Sequence, residues 1–185
     1  MRQALIGLAA LLALFVVGSA AGGRLSLYKS LRTSGFPDTA LPAAFSSAKV
    51  VAAPVSSAAR ANGATGAVEV NVNGPDANAG ILFVVFKTPA GAAADMGAAV
   101  PPVSGLQVKS AGKVVGRSQS GVFAGLFTQT DALGATNAEG ATYAVIQQGN
   151  VLVAGFTYAP TRVRDSGGAV ALAKAGVAHL QAVAG

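Results

Sequence analysis

Apolar and polar positions divide this chain into three stretches of different character. From Ala4 to Val17 the run is apolar without a charge, and the six residues that follow, Gly18 to Gly23, are all small. From Gly35 to Ala67 the sequence is rich in Ala, Ser, Pro and Gly, with Phe36, Phe45 and Val50-Val51 interrupting an otherwise weakly apolar stretch. From Val68 onward the periodicity becomes that of regular structure.

In the third stretch, Val68, Val70 and Val72 alternate with Glu69 and Asn71, the period of a half-buried strand. "NGPDANAG" (73–80) is turn chemistry. "ILFVVF" (81–86) is apolar on both faces and predicts an interior strand. Thr88-Pro89 then supplies an N-cap and a first-turn proline for an alanine-rich helix that must end before Pro101-Pro102. "GLQVKSAGKVVGRS" (105–118) alternates around Ser-Ala-Gly and reads as a hairpin. Gly121 to Gln129 is a further strand, its internal glycines marking a bulge, and residues 130–141 read as a loop exposing Asp131 and Glu139.

Gly149-Asn150 is a two-residue hairpin turn between β-rich runs. It sets a register pairing Gln148 with Val151, Ile146 with Val153 and Ala144 with Gly155. Tyr143 then lies across from Phe156 on the side of Val145 and Leu152, which we take as the core side. Ala169, Leu172, Ala173, Gly176, Val177, Leu180 and Val183 recur at three- and four-residue steps, predicting a final helix over 167–184 capped by Asp165 or Ser166. Gly176 and the alanines let that helix approach a sheet closely.

Together these elements predict an α+β domain, 67–185: an antiparallel sheet with two helices on one face. Two strand-into-helix segments echo each other, as a ferredoxin-like doubling would. Before the domain come a linker over 24–66 and a signal peptide or transmembrane anchor over 1–23.

For that leader, a basic head (Arg2), an apolar centre and a small-residue tail are the parts of a secretory signal peptide. As a helix, Ala4 to Ala21 spans about 27 Å, close to a bilayer core of roughly 30 Å. Arg24, Lys29 and Arg32 after the run outnumber Arg2 before it, so an uncleaved anchor facing the cytoplasm stands beside a cleaved leader and an anchor facing outward. All three place residues 4–21 at a membrane and two make the protein extracytoplasmic.

Composition narrows the chemistry. The chain has 185 residues, a formal charge of +6 and no cysteine, which excludes disulfides, thiolate metal sites and cysteine nucleophiles. Twelve of its basic residues are scattered between Arg24 and Lys174, as solvated charge is. Lys109, Lys113 and Arg117 on one hairpin, with Arg162 and Arg164 after the last strand, form a weak candidate anion-binding patch for phosphate, acidic polymer or lipid headgroups. No aromatic residue is interleaved with them, so nucleic acid is not an expected partner.

The single histidine, His179, sits at the margin of the apolar stripe and reads as a partly exposed boundary residue. A Ser-His-Asp relay would have to bring it to Ser118 or Ser120 and an acid. "SAGKVVGRS" fails the phosphate-loop spacing, and no cofactor or metal motif is present. The expectation is a non-catalytic, exported or membrane-tethered envelope protein that binds a partner protein or anionic polymer. An envelope hydrolase with an unidentified site and a structural assembly subunit are the alternatives.

Overall fold

Val68, Val70 and Val72 turn to one side of the second strand, and Ile81, Phe83 and Val85 of the third strand turn to the same side. All six are buried. The computed structural model that shows this describes residues 25–74, 78–98, 109–130, 136–160 and 166–184. Its strands are β1 (Ser46–Ala53), β2 (Ala64–Asn73), β3 (Asn78–Phe86), β4 (Lys109–Gly112), β5 (Ser120–Thr130), β6 (Thr136–Gln148) and β7 (Val151–Pro160). The helices are α1 (Leu25–Thr33), α2 (Ser57–Ala61), α3 (Pro89–Ala98) and α4 (Gly167–Ala184), with a 3-10 turn at Asp38–Ala40. The fold is α+β.

Every neighbouring strand pair is antiparallel, in the order β1-β2-β3-β7-β6-β5-β4. The hairpin register holds: Gln148 pairs with Val151, Ile146 with Val153, Ala144 with Gly155 and Tyr143 with Phe156. Gly149 has φ +59° whereas Asn150 stays at negative φ, the pattern of a type II′ turn. Gly91 N–H donates to Thr88 Oγ1 at 3.1 Å, so threonine caps α3 as its sequence requires. Thr88→Ala should lower the free energy of unfolding by about 1 kcal/mol, read from the urea midpoint.

Several expectations are corrected. The 24–66 stretch is not a simple spacer. It carries α1, β1 and α2, and Leu31, Phe36 and Ala59 are buried. Its apolar residues are few but each meets the body: Tyr28 lies over Gly66, and Val50 pairs with Val70. An alanine-rich strand has too little local signal to be read alone, because pairing with β2 is what makes it a strand.

The two expected helices lie on opposite faces, not one. On the first face, α4 and α1 cover Val68, Ile81, Phe83, Ile146 and Val153; on the second, α3 and α2 cover Phe86, Val145 and Leu152. The first face is the larger core, so the side of Tyr143 and Leu152 is the secondary one. Its depth comes from Gly155 and Gly176, which bring α4 against β7.

Nor is the order ferredoxin-like. That arrangement leaves one strand between those joined by its first helix, whereas β7, β6 and β5 all separate β3 from β4, the strand that follows α3. Finally, Ser110 and Gly112 belong to strand β4, so the hairpin turn is 113–119, and β6 already begins at Thr136 inside the expected loop. β5 pairs with β6 without a bulge, and the irregularity lies on its other side, in β4 between Ser110 and Gly112 opposite Phe123 and Val122.

Strand β1 forms a sheet edge, and edges invite unwanted pairing. Here Ser47 takes φ +48° at a register shift, and Ala48 N–H donates to Asp38 Oδ1 at 2.7 Å. The kink and the borrowed carboxylate occupy an end of that edge.

Candidate functional site

The second face carries a buried carboxylate on β2. Alternation along β2 puts Glu69 out of phase with Val68 and Val70, opposite Val51 on β1 and Leu82 on β3. Its side chain is only 7% exposed, and among the described residues no donor reaches it. Burial pushes its carboxyl from 4.5 up to about 7.

Next to it is an aromatic cluster. Phe156 and Tyr158 of β7 and Tyr143 of β6 share this face with Leu82. Ring centroids are 5.6 Å apart for Phe156–Tyr158 and 5.9 Å for Tyr143–Tyr158, and the two tyrosine hydroxyls bond to each other. Gly80, beside Asn71 in the register, leaves the gap into which the Phe156 ring leans. The result is one acid at the border of an aromatic floor, able to hold a proton near neutrality or to pair with a cation.

The sequence signal for this was present but indirect. A strand such as "ILFVVF", apolar on both faces, requires cover on both sides of the sheet, so the polar side of its neighbour β2 is covered as well.

At the end of the sheet where α2 and α3 meet, Asn62 Nδ2 donates to Asp95 Oδ1 at 3.2 Å. Burial raises the Asp95 pKa and this bond opposes the rise. Gln147 Nε2 donates to the carbonyls of Pro89 and Gly149 at 2.8 and 3.0 Å, tying α3 to the β6–β7 turn.

His179 is not at a boundary. It is 9% exposed, with its ring centroid 4.6 Å from Phe36 and 6.2 Å from Phe83. The helical wheel omits Phe36, which arrives from the stretch after α1 and closes over the imidazole. Burial alone lowers its pKa, favouring the neutral ring. Ser120, one proposed nucleophile, is structural: its Oγ accepts from Val114 N–H at 3.0 Å and donates to the Arg117 carbonyl at 2.6 Å. Ser120→Ala should cost about 1–2 kcal/mol by orphaning both groups, seen as a lower unfolding midpoint with an unchanged slope.

The basic residues are only partly placed. Lys113 is exposed, with Nζ donating to the Ser118 carbonyl at 3.1 Å, and Arg117 is half-buried. Lys109 lies in β4 opposite Ala124. Arg162 and Arg164 fall outside the described residues. The strand before them ends at Pro160, paired with Glu139, whereas Ser120 beside Arg117 pairs with Ile146. Seven positions along β6 separate those rows, about 23 Å at strand spacing.

Among the described residues no three His, Cys, Asp or Glu side chains gather as a metal site would require. No described helix is long and apolar enough to cross a membrane, and the run Ala4–Ala21 lies outside the described residues. No family model matches the chain, and no curated protein or solved structure is detectably similar to it.

Proposed function

We propose that this chain is an exported or membrane-tethered envelope protein with a non-catalytic, binding role. The observation that carries it is the uncharged apolar run from Ala4 to Val17, behind Arg2 and ahead of a small-residue tail. The α+β body supplies the binding half of the reading. On its second face Glu69, Phe156 and Tyr158 are buried beside Leu82 and Tyr143, a lining with the chemistry that a ligand with an apolar body and a donor or cationic group would need. His179, wedged between Phe36 and Phe83, is poorly placed to serve as the base of a Ser-His-Asp relay.

Intact mass and membrane fractionation of the expressed full chain test the targeting half. A product shorter by about twenty residues identifies a cleaved leader, and full-length protein in the membrane pellet identifies an anchor. Full-length protein in the soluble fraction would sink the reading.

A further inference from the structure

We infer that the β4–β5 turn, Lys113 to Ser118, rests on an anionic lipid surface and fixes how the body stands on the membrane. The inference rests on the tethered reading above and adds to it a specific contact.

Val115 is 89% exposed, the one large apolar side chain among the described residues left so open to water. It is not on a loose loop. Arg117 N–H donates to the Val114 carbonyl at 3.0 Å and Gly116 has φ +78°, so Val115 occupies the leading corner of a type II turn. Ser120 Oγ bonds Val114 and Arg117 from beneath, and Val114 is buried in the main core. A rigid backbone therefore holds this valine outward, with Lys113 and Arg117 on either side. An apolar tip between cations suits the headgroup boundary of a bilayer, where the valine enters and the long side chains reach phosphates.

The placement of the chain supports the same occupant. Ser120 pairs with Ile146, so the turn lies at the end of the sheet that holds Gly149, Lys87, Gly63 and α2. Among the described residues that end carries Arg60, Lys87, Lys113 and Arg117 against Asp95. The other end is mixed in sign: Asp38 bonds to Ala48 in the row of Val72, with Lys109 across that same row and Lys49 in the next.

The path from α1 to β1 runs from the first end to the second. Tyr28 lies over Gly66, Phe36 reaches His179 beside Phe83, Asp38 reaches Ala48, and Phe45 lies against Gly74. Traced backward, the chain approaches the basic end as it nears Leu25, and the apolar run ends only a few residues earlier. The start of α1 and the basic, valine-tipped end thus belong to the same side of the body, the side from which a tether preceding Leu25 would leave. Tethering holds the turn at high effective concentration near lipid, so contacts too weak to bind alone can set orientation.

The native chain has no cysteine, so single labels are unambiguous. Full-length Val115→Cys and, as the control at the opposite end, Thr39→Cys are labelled with an environment-sensitive fluorophore. Each is reconstituted into phosphatidylcholine vesicles with or without phosphatidylglycerol, carrying nitroxide-bearing lipid. The label at 115 should be quenched several-fold more than the label at 39, and more so with phosphatidylglycerol. One cation at an anionic surface multiplies occupancy about five-fold, so adding Lys113→Glu and Arg117→Glu should return the label at 115 to the level of 39. Equal quenching at both positions, with protein still floating with the vesicles, overturns the contact and leaves the tether standing. Contact at 115 that ignores lipid charge and survives the double reversal also overturns it. Protein that fails to float removes the tether and this inference together.

Discussion

Gly155→Ala should lower the free energy of unfolding by about 3 kcal/mol or more, at the upper end for a single added methyl group. A Cβ at this position would collide with the Ala169 carbonyl oxygen and the Ala173 amide nitrogen of α4. Those are backbone atoms, so no rotamer change relieves the clash. The helix must lift from β7, and Ala169, Leu172 and Ala173 lose their packing against the main core. Gly176→Ala is the informative comparison. Its Cβ would meet Val153 Cγ1 at 2.6 Å and Ile81 Cγ2 at 2.7 Å, side-chain methyls with some freedom to shift. The first variant should therefore show the larger fall in urea midpoint. The reverse order would mean that α4 does not sit on Gly155 as described.

Glu69→Leu should make the protein more stable at pH 8 and leave it little changed near pH 4. The folded carboxyl has its pKa raised from 4.5 to about 7 by burial. Below 4.5 both folded and unfolded chains hold the proton and no penalty arises. Between 4.5 and about 7 the folded chain holds more protons than the unfolded one, so stability falls as pH rises. Each pH unit of that window costs about 1.4 kcal/mol, and above it the accumulated penalty is about 3 kcal/mol. Leucine matches the apolar setting of Val51 and Leu82 and removes the penalty.

His179 acts with the opposite sign. Its lowered pKa means the unfolded chain takes up a proton first as pH drops below 6.5, so its burial costs stability on the acid side. Urea unfolding of the wild type and Glu69→Leu across pH 4–8 separates the two. A wild-type slope above pH 6 that survives in the variant would mean that Glu69 is not its source. If Glu69 meets a cationic ligand, binding should also weaken as pH falls through about 7.

Much of the fold was legible because its signals are local. Gly149-Asn150 fixed a register that holds pair by pair to Glu139–Pro160. The apolar steps of α4 named six of its seven buried residues, all but His179, and Thr88-Pro89 marked the start of α3. What stayed hidden depends on partners distant in sequence. Strand β1, "SSAKVVAA", is a strand only because β2 lies beside it. Alternation in β6 and β7 separates two faces but does not say which is deeper; that is decided by where α4 lands. For the candidate site, Glu69 was read correctly as facing away from the valines, but its burial follows from cover on the second face. His179 was misplaced for the same reason, since Phe36 comes from more than 140 residues earlier in the chain.

The position of β7 has a consequence for biogenesis. This strand stands in the middle of the sheet and is the last to be synthesised, with β3 on one side and β6 on the other. Until the ribosome has released residues 151–160, the β1–β3 meander presents Ile81, Phe83 and Val85 along an unsealed rim. A nascent polypeptide arranged this way cannot complete its sheet before its final strand emerges, so its open strand edges stay exposed until synthesis is nearly finished.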